Sequence, residues 1–245
     1  IAKALDLSTN EVILLNIFYE YFTTGSSIIA SNRMGDMLHA GNINIMLFLG
    51  KDKNSSNLIL TQLLRNITTE VHFFQNGKLI VQSFVFVGQI GIFTGISSNN
   101  FSIIANKRFI TGGGYIGFIK YILNMGNPKF ISFITREILT TAKNYDVAKA
   151  ILQTQELIAP AYFTLASNEG NGCVITRDRT KTEFVSDINP SHNMWYLLQT
   201  NSDINSTFLY QNKRRSVGNL HMKKLVRTVY ILSMINSEDF GPIFV

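Results

Sequence analysis

The chain has 245 residues, 46% hydrophobic and 16% charged, with 22 Lys and Arg against 16 Asp and Glu and a formal net charge of +6. That composition can bury a sizeable core and excludes a disordered chain, and the longest apolar run, residues 79–93, is broken by Gln82, Ser83, Gly88 and Gln89 and cannot span a bilayer. The excess cations suit anionic surfaces, but they are scattered apart from Lys213-Arg214-Arg215 and Lys223-Lys224, and without a recognised motif they exclude nucleic acid as the expected partner.

Residues 11–22 are polar only at Glu11, Asn16 and Glu20, so they predict a helix buried almost all round. Residues 26–30 and 37–42 flank Asn32-Arg33-Met34-Gly35 and read as a hairpin. A second hairpin joins 71–75 to 78–86 through Asn76-Gly77, a pair that tolerates the positive φ of a tight turn. Residues 84–94 are expected to continue as strand, bent at Gly88 and Gly91.

Helices are predicted next over 115–124, 130–143 and 146–156, the last with Asp146 as its N-cap. Gly112-Gly113-Gly114 lacks the Gly-Lys-Ser/Thr of a phosphate loop, so it reads as a tight turn from strand into helix. Strands return over 162–166, 173–177, 182–187 and 194–200, separated by turns rich in Asn, Gly, Asp and Pro. No repeat or linker divides the chain, and the order of strands, helices and strands again implies a layered α+β domain.

One cysteine, Cys173, excludes an internal disulfide and a Cys-based zinc site. It lies in an apolar strand, where a free Cys is usually a small buried hydrophobe. Four histidines without ligand-like spacing give no metal site, and no cofactor is expected. Sequons at Asn54, Asn66, Asn100 and Asn205 point to glycosylation and the secretory pathway.

Gly25-Ser26-Ser27-Ile28-Ile29-Ala30 and His39-Ala40-Gly41-Asn42-Ile43-Asn44 carry a resemblance to the acid ceramidase family, whose patterns are Cys-Thr-Ser-Ile-Val-Ala and His-Gly-Arg-Asn-Met-Asp. Further matching segments are Asn16 to Glu20, Gly112 to Gly117, Leu157 to Phe163, Gly172 to Arg179, Trp195-Tyr196 and Gln199-Thr200-Asn201. The resemblance implies the four-layer αββα sandwich of N-terminal-nucleophile hydrolases, in which a precursor cuts itself before the Cys. The freed α-amine then acts as base for the neighbouring thiol. It also implies that residues 1–24 correspond to the end of a small subunit and 25–245 to the catalytic subunit, with a lysosomal or secreted location.

Carried over residue by residue, the nucleophilic Cys is replaced by Gly25, an Arg by Gly41, an Asp by Asn44 and a Glu by Lys107. The Asn that helps stabilise the oxyanion is retained as Asn201, and an Arg is retained as Arg215, although its acidic neighbours have become Asn212 and Lys213. Gly25 can attack neither a substrate carbonyl nor its own preceding peptide bond, so an uncut and catalytically inactive homologue is expected. Such a protein is expected to hold a lipid amide or acyl chain, with peripheral contact to an anionic membrane surface. The alternatives are a working amide hydrolase, with Gly25 engineered or bypassed by Ser26, and a structural subunit of a larger assembly whose protein partner the sequence does not name.

Overall fold

The computed structural model describes residues 1–32, 34–45, 59–109, 113–203 and 209–224. Helix α1 (Thr9–Phe22) starts at Ser8, whose hydroxyl accepts from the Glu11 amide while the Glu11 carboxylate accepts from the Ser8 amide. This reciprocal cap satisfies two first-turn donors. The helix passes without a loop into β1 (Thr23–Ser31), where the β-branched pair Thr23-Thr24 favours extended backbone. Strand β2 (Met37–Ile45) then pairs antiparallel with β1, as the first hairpin predicts.

The chain continues through α2 (Ile59–Asn66), β3 (Thr68–Gln75), β4 (Lys78–Phe86), β5 (Thr94–Ser97) and β6 (Phe101–Lys107). Three helices follow, α3 (Gly113–Ile122), α4 (Ile131–Thr141) and α5 (Tyr145–Thr154). Strands β7 (Ala161–Ser167), β8 (Gly172–Arg177), β9 (Thr182–Asp187) and β10 (Tyr196–Gln199) precede α6 (Leu209–Lys224). The Asn76-Gly77 turn is as expected, with φ of 52° and 76°.

Two sheets are formed, one of three strands in the order β10-β1-β2 and one of seven in the order β3 to β9, antiparallel throughout. Strand alternation assigns the layers. Phe101, Ile103 and Ala105 of β6 and Phe163 and Leu165 of β7 pack with Ile134 and Ile138 of α4 and Leu152 of α5. The opposite faces of β6 and β7 supply Asn106 and Thr164, which meet Ser27 of β1. On the far side of β1, Ile28 and Ala30 pack with Trp195 and with Met222 of α6. The order is therefore helices, sheet, sheet, helix, the αββα sandwich implied by the family resemblance.

Some expectations are corrected. Residues 87–93 are not strand: Gly88 takes a positive φ of 85°, and Asn16 of α1 binds the segment through the Gly88 carbonyl and the Ile90 amide. A helix side chain thus takes the hydrogen bonds that a neighbouring strand would have supplied. Helix α5 is capped by Asn144, which accepts from the Val147 amide, while Asp146 lies inside the first turn. The final strand is limited to Tyr196–Gln199. Helix α4 has no cap of its own; Glu20 of α1, buried, accepts from the Ile131 and Ser132 amides. A carboxylate there satisfies orphan donors and complements the positive end of the helix.

Candidate active site

Gly25 is the third residue of β1, the middle strand of the smaller sheet, and is opposite Ile43 of β2. Its amide donates to Asn201 Oδ1 at 3.1 Å. Asn201 is fully buried just beyond β10, and its Nδ2 donates to the Lys107 carbonyl at 2.8 Å. Arg214 of α6 donates to the same Oδ1 at 3.1 Å and to Ser26 Oγ at 3.4 Å. Three of the residues singled out from sequence, Gly25, Lys107 and Asn201, therefore share one hydrogen-bonded chain.

The strand is packed closely around the missing side chain. A Cβ on Gly25 would lie 2.1 Å from the Asn42 carbonyl oxygen and 2.7 Å from Asn106 Oδ1. Gly41 lies across from Ser27, and a Cβ there would come within 2.8 Å of Ile104 Cδ1 and 2.9 Å of the Ser26 carbonyl oxygen. Asn44 is opposite Thr24, whose hydroxyl donates to the Asn44 carbonyl at 3.3 Å.

Lys107 is turned toward α1. Its Nζ donates to the Tyr21 carbonyl at 2.6 Å and stands 5.1 Å from the Tyr21 ring centroid. Burial pushes the ammonium below its ordinary pKa, and Glu20 pulls the other way. The Glu20 carboxyl is pushed up by burial, opposed by the Ser132 and Ile131 hydrogen bonds and by Lys107. Arg215 is 7% exposed and donates from Nη2 to the Ser202 carbonyl, one residue beyond Asn201.

Neither nearby serine meets a base. Ser27 Oγ lies 2.5 Å from Thr164 Oγ1 and accepts from Asn106 Nδ2 at 3.0 Å, while the Ser26 hydroxyl accepts from Arg214. His39 Nδ1 is 2.7 Å from Ser102 Oγ, on the wall of a cavity of about 200 Å3 that also includes Gly41, Gln82 and Phe84. Burial pushes the imidazole down to about 3. Neutral His39 therefore contributes stability above pH 6.5, and the contribution is lost as pH falls through 6.5 toward 3 because the unfolded chain takes up the proton first. His39→Gln is expected to flatten that acid limb, where wild type loses up to about 1.4 kcal/mol per pH unit. Urea unfolding from pH 7 to pH 4 checks this; equal slopes for both proteins would refute it.

Cys173 is buried and unpaired, and burial raises its thiol to about 11. Among the described residues there is no metal-ligating cluster, and no helix is long and apolar enough to cross a membrane. Asn66 closes α2 and Asn100 sits in the turn before β6, both exposed, whereas Asn54 and Asn205 lie outside the described residues.

Sequence reasoning missed Arg214 as a direct neighbour of Ser26 and Asn201, reading it only as part of a basic cluster. Val217 and Met222 of the same helix pack on the smaller sheet, but they are five residues apart and give no helical periodicity that could have signalled the contact. It also passed over Arg108, which donates to both Asp203 oxygens at 2.9 and 2.6 Å, and Tyr162, whose hydroxyl donates to Asp203 at 2.5 Å.

No protein-family model matches the chain. It is 39% identical to an acid ceramidase of Balaenoptera acutorostrata scammoni over 216 residues, which are 87% of this chain and 55% of that protein. It is 37% identical to a Homo sapiens acid ceramidase over 204 residues, 83% of this chain and 52% of that one. The chain thus spans about half the length of the curated relatives it matches. Among solved structures it resembles a Caenorhabditis elegans N-acylethanolamine-hydrolyzing acid amidase ortholog, with a TM-score of 0.69 and 26% identity, covering 87% of this chain and 86% of that one.

Proposed function

We propose, for a chain that is a homologue of the acid ceramidases with the N-terminal-nucleophile hydrolase fold, that its amidase centre is disabled and that it acts as a lipid-binding protein of the lysosome or the secretory pathway. The observation that carries this reading is the close packing at Gly25, where the Asn42 carbonyl and the Asn106 side chain occupy the space a nucleophile would need. A thiol is absent there, and so is the free α-amine that would serve as its base as long as the Thr24–Gly25 bond stays intact.

Asn201 is held at the same place. One N–H of its amide nitrogen donates to the Lys107 carbonyl and its oxygen accepts from Gly25 and Arg214, so the side chain is tied into the strand framework around Gly25 by three hydrogen bonds. Acyl-chain binding is supported by an apolar cavity of about 370 Å3 lined by Ile13, Ile17, Phe118, Tyr121, Phe130 and Phe133. On this reading residues 1–24 remain joined to 25–245.

Incubation with N-acylsphingosine at acidic pH is expected to release no fatty acid, and intact mass measurement to give one uncut species. Turnover that disappears in Asn201→Ala, together with fragments split before Gly25 or Ser26, would establish a working hydrolase instead.

A further inference from the structure

The cavity beside His39 has the outward face of the larger sheet as its floor, and strand register places the side chains there. His72 stands opposite Gln82, Gln82 opposite Ile96 and Ile96 opposite Ser102. Two residues along, Glu70 stands opposite Phe84 and Thr94 opposite Ile104. Cross-strand partners share a face, so two rows of side chains run from β3 to β6. Strand β2 forms the wall, with His39 held on Ser102 and Gly41 close to Ile104.

The groove is open and its chemistry is selective. Phe84 is 38% and Ile96 56% exposed, and Glu70 and Gln82 are exposed beside them. Among the described residues that line it there is no Lys or Arg, although the chain as a whole carries a net charge of +6. An anionic ligand therefore finds no counter-charge here. The Glu70 carboxylate is already 2.6 Å from His72 Nε2, so a cation is not called for either. What is left is a set of neutral donors and acceptors, Gln82, Ser102 and Thr94, around an aromatic ring.

We propose that the groove between β2 and β4–β5 binds a neutral saccharide, with one pyranose ring stacked on Phe84 and its hydroxyls on Gln82, Glu70 and Ser102. A sugar ring presents C–H bonds on its face and uncharged hydroxyls on its rim, which matches an aromatic floor edged by amide, hydroxyl and carboxylate groups. The cavity of about 200 Å3 is smaller than the pockets of about 300–1,000 Å3 that hold drug-sized molecules, and so suits a single ring. Gly41 keeps the inner end clear, since a Cβ there would already come within 2.8 Å of Ile104 Cδ1. The inference is independent of the disabled-amidase reading and uses none of the residues around Gly25 and Asn201.

Saturation-transfer NMR on the whole chain tests it, with the methyl glycosides of glucose, galactose, mannose and N-acetylglucosamine as probes. At least one is expected to bind saturably, with the transfer reaching its ring protons, while choline and the anionic methyl glucuronide give no response. Phe84→Leu keeps apolar bulk but removes the ring, and should weaken binding about tenfold. Gln82→Ala should also weaken it about tenfold. Gly41→Arg should abolish it; should that variant not fold, Gln82→Ala at its exposed position keeps the fold and the test readable. The octyl glycoside of the sugar that binds separates two sources of the ring. Affinity about tenfold above that of the methyl glycoside, and weakened by Phe84→Leu, identifies a glycolipid head, whereas equal affinity identifies a free sugar or a glycan; both uphold the site. No saturable binding of any of these methyl glycosides, unchanged binding in Phe84→Leu or Gln82→Ala, or an equal response to choline or methyl glucuronide overturns it.

Discussion

Gly25→Cys is expected to lower stability by about 1–3 kcal/mol and to restore neither self-cleavage nor amidase activity. The Cβ would meet the Asn42 carbonyl oxygen at 2.1 Å, and that oxygen belongs to backbone fixed in the β1–β2 ladder. Relief requires the two strands to part or to shift, at the cost of hydrogen bonds that run from Thr23 to Ser31. The thiol, once present, would still lack the Arg and Asp that the family resemblance implies at the positions of Gly41 and Asn44. Chemical denaturation measures the first effect and intact mass the second; a stable variant that splits before position 25 and hydrolyses N-acylsphingosine would show that the nucleophile alone was missing.

Arg177→Ala is expected to cost about 3–5 kcal/mol, a large part of the stability of an ordinary domain. Arg177 is fully buried, yet its partners are carbonyls: those of Leu152 and Gln155 at the C-terminal end of α5, the latter at 2.7 Å, and that of Lys181 at 3.1 Å. A cation at that end satisfies orphan acceptors and opposes the negative pole of the helix. Alanine strands the Leu152 and Gln155 carbonyls at the end of α5 and opens a void between α5 and β8, while the Lys181 carbonyl keeps the Asp178 amide. A fall in the urea midpoint with an unchanged slope checks this, and a midpoint within a few tenths of wild type would refute it.

Both hairpins, the three central helices and most of the later strands were legible because hydrophobic periodicity and turn chemistry are local. The αββα order came from family resemblance and could not have come from periodicity. The segment 87–93 misled because its apolar run continues that of β4, whereas Asn16 of α1 supplies hydrogen bonds that a neighbouring strand would otherwise give. Helix α6 was missed because Lys213 to Ser216 and Lys223-Lys224 leave the packed pair Val217 and Met222 without a helical period.

At the site, the identities at 25, 41, 44, 107 and 201 could be read by alignment to a pattern, but their mutual contacts could not. Asn201 is 176 residues from Gly25 in sequence, and nothing near either residue signals their hydrogen bond. The tight packing at Gly25 was equally hidden, since it depends on where Asn106 and the Asn42 carbonyl come to rest. A missing side chain is visible in a sequence; the filling of its place is visible only in three dimensions.

The strand order also bears on how the molecule assembles. In the larger sheet each strand lies beside its neighbour in sequence, so pairing proceeds by short loop closures apart from the helical excursion between β6 and β7. The smaller sheet is different, because β1 must capture β10, with Ser27 facing Gln199 across most of the chain. Loop-closure entropy makes such a contact slow to form. The docking of β10 on the strand that bears Gly25 is thus the natural late step of folding, completed on a scaffold already built, and the amides of the edge strand β10 should exchange before those of the buried β1 when the native state opens.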